Sequence, residues 1–414
     1  MWRLKAGSLQ LVIYVVVIIS LLLFMLILLI HTQSIFKIKV DQQIASLQVS
    51  QQALLKFIKA SKKEVDTTEF EMDGKTVKLW SSYWGSYQLS SSEVKWKSQT
   101  IERHALTGMQ MNHKDSVALY LKDNNRPLAL VGGTFIKGNA YLPNRGVKSG
   151  SIAGHSYYRQ QFIYGNLEPI HSFPSIDKNL RNYLYGLLEV NGRSSDNYDF
   201  ESYNSRKDYI NSFKEQSLVL GSEEPIYLED NKYIGNLIIV SAKEIVIEAS
   251  ATIEDILLVA PKVTVTNGFN GSFQALASHA IDIDEDVTLK YPSALIMCKQ
   301  GLKKTDDSQG IMIKDHSLVQ GNVLFLSSGT TNYEAQIKIW SNAAVDGLVY
   351  CEENLELRGT INGLVVTNYF IIKENGSVYQ NHLFNARITP KSLDEHFVGL
   401  DLNLDRREVA KWLY

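Results

Sequence analysis

The spacing of short apolar pairs between Asn236 and Ile296 constrains this chain more than any other feature of its 414 residues. Ile245/Ile247, Val263/Val265 and Ile281/Ile283 recur at a constant offset of 18 in the numbering. Each pair is led at the same offset by a small residue, Ala242, Ala260 or Ser278, and followed by a polar or glycine-containing break. Ile337/Ile339 and Leu355/Leu357 repeat the offset of 18 after a break in phase between Lys299 and Gly310, which reads as an inserted loop. A fixed period of this kind is the mark of stacked units. Strands of about 3–5 residues, side chains alternating in and out, predict a mainly β fold. We therefore expect a parallel β-helix, a solenoid of about 18 residues per coil whose inward Ile, Val and Leu stack into a continuous core. Val263 should then lie between Ile245 and Ile281, one strand spacing of about 4.8 Å from each.

The amino terminus obeys a different rule. Leu9 to Ile30 carries no charge and only Gln10, Tyr14 and Ser20 as polar interruptions. At about 1.5 Å per residue it spans roughly 33 Å, enough for a hydrocarbon core of roughly 30 Å. This predicts a transmembrane α-helix in contact with membrane lipid, retained as an anchor over residues 1–33. A cleaved signal would have a shorter apolar region and a small-residue site, and His31-Thr32-Gln33-Ser34 offers none. Arg3 and Lys5 before the helix are matched by Lys37 and Lys39 after it, so charge alone does not orient it. Val40, Ile44, Leu47, Leu54, Leu55 and Ile58 continue at helical spacing among glutamines, predicting an amphipathic stalk over 34–63 with a solvated polar face.

Between stalk and solenoid, alternation at Val77, Leu79, Val94 and Trp96 predicts a small β unit over 64–115, with the aromatics Trp80 to Tyr87 as its core. The solenoid is expected over 116–385. Ile136-Lys-Gly138 and Ile152-Ala-Gly154, offset by 16, and Ile163-Tyr-Gly165 after them, mark its first corners. A tyrosine-rich polar stretch over 173–221, holding Tyr183, Tyr185, Tyr198, Tyr203, Tyr209 and Asn191 to Asn197, reads as an insertion leaving the coils. Residues 386–414, with Leu393, Phe397, Val398, Leu400 and Trp412-Leu413-Tyr414, are expected to cap an open end.

The 42 basic and 44 acidic residues give a formal charge of -2 without long blocks, so no electrostatic footprint for nucleic acid exists. Cys298 and Cys351 are the only cysteines, each in an apolar run, which excludes a disulfide framework. Walker, nucleophile-elbow, His-Glu-x-x-His and Cys-x-x-Cys motifs do not occur. The best catalytic or calcium candidate is Asp282, Asp284, Glu285 and Asp286. Period 2 gives a plainer account: Ile281 and Ile283 point in, so Asp282 and Asp284 point to solvent, as do Lys262, Thr264, Glu244 and Val246 on neighbouring coils. His104, His113, His155, His171, His279, His316, His382 and His396 lack ligand spacing. No residue is assigned a catalytic, metal or cofactor role, and no cofactor is expected.

Residues 1–60 resemble the amino-terminal segment of type IV pilin-like proteins, the minor pilins and pseudopilins. They share a basic leader (Arg3, Lys5), Gly7-Ser8, an apolar helix and an amphipathic extension, with Val12 where the family's usual glutamate would fall. The resemblance implies processing after Gly7, a cytoplasmic amino terminus and a periplasmic or exterior body. The repeat architecture is similar to bactofilin-like polymer-forming solenoids. Together these imply a non-enzymatic, single-pass envelope protein with protein partners in a surface, pilus-like or secretion-type assembly. The competing expectation is a membrane-anchored β-helix that acts on or binds carbohydrate.

Overall fold

The computed structural model describes residues 6–60, 67–111, 117–189, 198–200, 208–299, 309–327, 329, 333–390, 393, 397–402 and 407–413. The chain is mainly β with one long apolar helix at its amino terminus, α1 (Ala6–Ala60, 55 residues). Residues 8–60 contain neither proline nor glycine, so nothing in the sequence breaks the hydrogen-bond ladder. Expected as an anchor and then a stalk, the two segments form one uninterrupted helix.

The carboxy-terminal part of α1 lies across an antiparallel sheet of β1 (Thr68–Met72), β2 (Lys75–Trp84), β3 (Tyr87–Trp96) and β4 (Gln99–Gln110). Val49, Ala53, Leu54 and Ile58 share one helix face and bury themselves against Val77, Leu79, Val94 and Ala105. A buried bond of 2.6 Å joins the hydroxyls of Ser50 and Ser92 within this contact. Asp73-Gly74, both at positive φ, form the two-residue turn that matches the twist of the β1–β2 hairpin. The sheet is completed from the far end of the chain: Val398–Gly399 and Arg407–Leu413 both pair antiparallel with β4. Of residues 386–414, expected to cap an open solenoid end, Arg387–Ile388 is still a strand of the parallel ladders, pairing with Thr360–Ile361 and Phe135–Ile136, while Val398–Gly399 and Arg407–Leu413 join the small sheet, because β4 leaves an edge free that an apolar, alternating segment can cover. His113, His396 and Tyr414 lie outside the described residues.

The rest of the body consists of three parallel ladders whose pairings join into one closed set. Ile226, Ile245, Val263, Ile281, Ile311, Ile337 and Leu355 are successive register partners in one ladder. Val263 is therefore flanked by Ile245 and Ile281, as the period of 18 requires, and is fully buried. The next register steps, Ile281 to Ile311 and Ile311 to Ile337, are longer than the period. Periodicity is lost there because chain leaves the ladder and returns in phase. Gly321, Gly347 and Gly363 stack at φ near 150°, and a Cβ on each would meet the carbonyl oxygen of Ser293, Gly321 or Gly347 within 2.0 Å. Only glycine fits a column in which backbone passes that close to backbone.

Two segments differ from expectation. The stretch Ile152-Ala-Gly154-His-Ser156 is a small antiparallel hairpin with Ile152 opposite His155, its turn formed by Ala153 and Gly154 at positive φ. The partner of the Gly138 corner is instead Gly165, through the Lys137–Tyr164 bridge. The tyrosine-rich insertion is also shorter than expected. It contains α2 (Lys178–Glu189), whose first turn is capped by Asp177, the Asn179 N–H donating to Oδ1 at 2.7 Å. By Asp208–Asn211 the chain is already paired with Lys232–Gly235, and Leu218–Ser222 with Leu237–Ser241. Tyr203 and Asn191 to Asn197 lie outside the described residues.

Chain order and ladder order differ. Val117–Leu121 does not begin at the end from which the period of 18 runs; it pairs with Val365–Thr367, beyond the last-made ladder strands, and then with Asn139–Tyr141. The chain runs from there past α2 to the opposite end and returns strand by strand. Leu180 and Leu184 seat α2 on the outer side of a ladder beside Leu257 and Leu276, and Arg181 pairs with Glu352.

One buried polar knot fastens the antiparallel sheet to this stack. Gln274 Oε1 accepts from Ser86 N (2.8 Å) and Oγ (3.2 Å), while its Nε2 donates to Trp84 O (2.8 Å). Asn322 adds a donation to Ser86 Oγ (3.1 Å) and accepts from Leu400 N (3.2 Å). Each of these groups would otherwise be a desolvated, unpaired polar atom.

Candidate membrane and assembly interface

Residues 7–39 of α1 are exposed throughout. An 18-residue window of this helix reaches a mean hydropathy of 3.4 with none of it buried in the fold. It is the single helix among the described residues long and apolar enough to cross a membrane. So long an unbroken apolar surface has no covering element of its own and demands an apolar phase or an apolar partner. Thr32, just beyond the apolar run, satisfies its hydroxyl on the carbonyls of Leu28 (3.0 Å) and Leu29 (2.8 Å). Lys37 and Lys39 follow one turn on. Arg3 and Lys5 lie outside the described residues.

Between this span and the sheet, Phe36, Ile38 and Ile44 remain exposed beside Gln43, Gln48, Gln51 and Gln52. The glutamine face is solvated, and burial begins at Ser46 and Val49. The helix is thus fixed at one end by its packing on β2 to β4, while the other end projects clear of the body.

The acidic run singled out from the sequence is a ladder of ion pairs. Lys262 Nζ lies 2.9 Å from Glu244 and 3.9 Å from Asp282, and Lys314 Nζ lies 2.9 Å from Asp284. Burial pushes the Asp282 carboxyl up against the pull of Lys262 and Lys314, whereas the hydrogen bond from Lys314 holds Asp284 below its ordinary value. Asp286 meets Asn267, and the stacked neighbours of Asp282 are Thr264 and Met312. Carboxylates that face lysine ammonium groups or an asparagine amide across the ladder do not converge as an oxygen cage for calcium. Among the described residues no three His, Cys, Asp or Glu are grouped to hold a metal.

Ser91, His104 and Glu102 form a string that sequence reasoning missed. Ser91 Oγ is 2.8 Å from His104 Nδ1, and His104 Nε2 is 3.7 Å from Glu102. The order is that of a hydrolytic triad, but Ser91 is 1% exposed inside the sheet, so no substrate can approach its hydroxyl. Burial also depresses the His104 pKa. Trp84 and Tyr87 are buried between sheet and stack, and Tyr83 packs on Tyr183 of α2 at 5.4 Å, so most of the aromatic cluster is core. Cys298 and Cys351 are free, buried thiols with pKa values raised by desolvation. An open groove of about 370 Å³, lined by Lys338, Ile339, Trp340, Ser341, Glu356 and Arg358, lies on the outer side of the ladder and was not anticipated. Its sequence signal is a tryptophan next to the inward Ile339, in the outward register.

No family model matches this sequence, and no curated protein matches it. Among solved structures, the competence-associated pilin ComZ from Thermus thermophilus is similar over 85% of this chain and 86% of that chain, at 12% identity and a TM-score of 0.25. The two share too little geometry for the likeness to bear on the fold or role of this chain.

Proposed function

We propose that the chain is a non-enzymatic, single-pass envelope protein that anchors through Leu9 to Ile30 and contributes its body to a pilus-like or secretion-type assembly. The observation that carries this reading is α1 itself. An exposed apolar span runs without a hinge into a helix face buried on β2 to β4, so the body is held at a fixed orientation to whatever covers the span. An enzyme needs only a tether; a rigid, continuous coupling between membrane helix and domain suits a part whose position in an assembly matters. In this reading residues 1–33 anchor, 34–63 connect, the antiparallel sheet is the adaptor, and residues 116–385 form a parallel β-helix facing the periplasm or exterior.

The protein is expected to remain in the membrane after alkaline carbonate extraction. Deletion of residues 1–33 is expected to release a soluble body, because Val49 to Ile58 would still cover the sheet. Wild-type protein recovered in the soluble fraction with a new amino terminus near His31 would overturn the anchor. Purification in mild detergent should bring down envelope partners that a variant lacking residues 1–33 loses. The second reading, an anchored carbohydrate-binding β-helix, is favoured by one feature, the groove around Trp340.

A further inference from the structure

We propose that the ladders stack end to end on a second copy of this chain, the basic end of one body resting on the acidic end of the next. Among the described residues each ladder stops, at either end, in a segment with a partner on one side alone. At one end these are Tyr198–Asp199, Asp208–Asn211 and Ile226–Leu228, one per ladder. At the other they are Leu167–Pro169, Val147–Ser149 and Tyr164, which bridges to Lys137. Open strand edges pair with further strands unless something covers them. The antiparallel sheet is fastened at the flank, by Gln274 and Asn322 and by Trp84 against Phe213, and pairs with none of these terminal strands.

The two ends carry opposite charge. Residues 122–171, which form the turns at the Leu167 end, hold six basic residues and two acidic ones. Lys137, Arg145 and Lys148 are exposed there, and none of the six basic side chains forms an ion pair among the described residues. Of the two carboxylates, Asp123 is held below its ordinary pKa by the N–H groups of Asn144 (3.1 Å) and Asn125 (2.8 Å) and, more weakly, by Arg145. Residues 208–232, at the opposite end, hold six acidic residues and two basic ones, and widening the window to 190–232 leaves the same excess, nine to five. Asp208, Glu223, Glu229 and Asp230 are exposed there, while Glu224 is matched by Lys243. Apolar exposure gathers at the same places. Outside α1, nine large apolar side chains are exposed among the described residues, and five stand on these two ends: Tyr158, Phe162 and Leu167 on the basic one, Ile210 and Tyr227 on the acidic one. An end built only to stay soluble would carry a polar outer face; apolar groups rimmed by charge of one sign make a contact surface instead. Setting unlike ends together keeps every strand parallel and opposes unlike charge, whereas like ends would turn the strands antiparallel and oppose like charge. Contact between two different surfaces does not close on itself, so it repeats into a row of copies. Pro169 withholds one N–H from its edge, so the fit rests on side chains as well as backbone. The contact rests on the assembly reading above and names a second copy of the chain as one of its partners.

The test is analytical ultracentrifugation of the full chain in detergent. At about 0.05 M salt it is expected to form a concentration-dependent series of oligomers that falls to monomer at about 0.5 M, where exposed charges are screened. Reversing one end, in R145E/K148E or in D208K/E229K, should weaken association about tenfold or more at an unchanged melting temperature. Mixing the two reversed proteins should restore it, since each supplies the charge that the other has lost. Should a reversal destabilise the fold, R145Q/K148Q takes its place and should weaken association less but in the same direction. A chain that stays monomeric at low salt, oligomers that R145E/K148E leaves intact, or a mixture that stays apart overturns the contact. Oligomers joined through the apolar span of α1 would survive both reversals and be lost on deletion of residues 1–33. Alkaline carbonate is expected to leave every charge variant in the membrane, so a failed anchor and a failed end contact are told apart.

Discussion

The antiparallel sheet and the parallel ladders bury side chains by opposite means, and the difference explains how each depends on the rest of the chain. In the ladders, like stacks on like: Ile245, Val263, Ile281 and Ile311 occupy one column, so every strand supplies the same kind of residue to its neighbour. In the sheet, unlike meets unlike. One face of β2 to β4 is covered by Leu54 and its neighbours on α1, and the free edge of β4 is covered by strands from the opposite end of the chain. A repeat tolerates loops between its members, as the long steps from Ile281 to Ile311 and on to Ile337 demonstrate, whereas the sheet needs particular partners from both ends of the protein.

The comparison breaks most sharply at Val263. Val263→Asp would place a carboxylate in the middle of a column with no partner and is expected to cost roughly 4 kcal/mol or more, measured by denaturant melting. Loss of less than about 1 kcal/mol would mean that the column is not a core. Leu54→Ala, at the equivalent depth in the helix–sheet contact, should cost about 2–5 kcal/mol. Its effect should appear as early exchange of β2 and β3 amides, with protection of the ladder strands retained. Simultaneous loss in both regions would show that they unfold as one. Gln274→Ala removes the glutamine half of the knot between them, with its bonds to Ser86 N–H and Trp84 C=O, and leaves the Asn322 half in place, an expected loss of about 1–3 kcal/mol. Its signature is selective exposure of the Trp84–Tyr87 turn to hydrogen exchange.

A smaller effect separates the regions by pH. His104 sits in the sheet with its pKa lowered by burial, so the unfolded chain takes up a proton first as the pH falls. Stability is then lost below about pH 6.5, by at most about 1.4 kcal/mol per pH unit for one proton. His104→Gln should flatten the dependence between about pH 6.5 and 5; an unchanged slope would assign it to other groups. Least of all is expected at Thr264, the outward neighbour of Val263. Its hydroxyl donates to Glu244 at 2.7 Å, so Thr264→Asp would bring like charge beside Glu244 and Asp282. A change within about 1 kcal/mol, shrinking at high salt, is expected.

The same contrast governs what the sequence alone could reveal. The column at Ile245, Val263 and Ile281 was legible because stacking writes its period directly into the chain, and the apolar span of α1 because lipid demands length and little else. The role of residues 386–414 was hidden, since an edge strand of the small sheet and an end cap both require only apolar alternation. Gly154 misled because a hairpin turn and a ladder corner ask for the same freedom of φ. The ion pairs of Asp282 and Asp284 follow from the outward register, but Lys314 could not be placed beside Asp284 without knowing that the ladder resumes only at Gly310. Trp340 left a signal only in its parity with Ile339, which becomes meaningful once Ile311, Ile337 and Leu355 are known to share a column.

The position of Val117–Leu121 beyond Val365–Thr367 bears on how the protein can be made. Strands synthesised earlier must wait, their hydrogen-bonding edge open, for neighbours far along the chain, as Leu119 waits for Val365. The sheet waits likewise for Arg407–Leu413. A chain delivered end first across a membrane would therefore stay unlocked until Val365–Thr367 and Arg407–Leu413 arrive, and a product truncated before Val365 would lack the closing strands of both regions at once. A fragment that stops short of Val365 therefore leaves an edge open in the ladders and in the sheet alike.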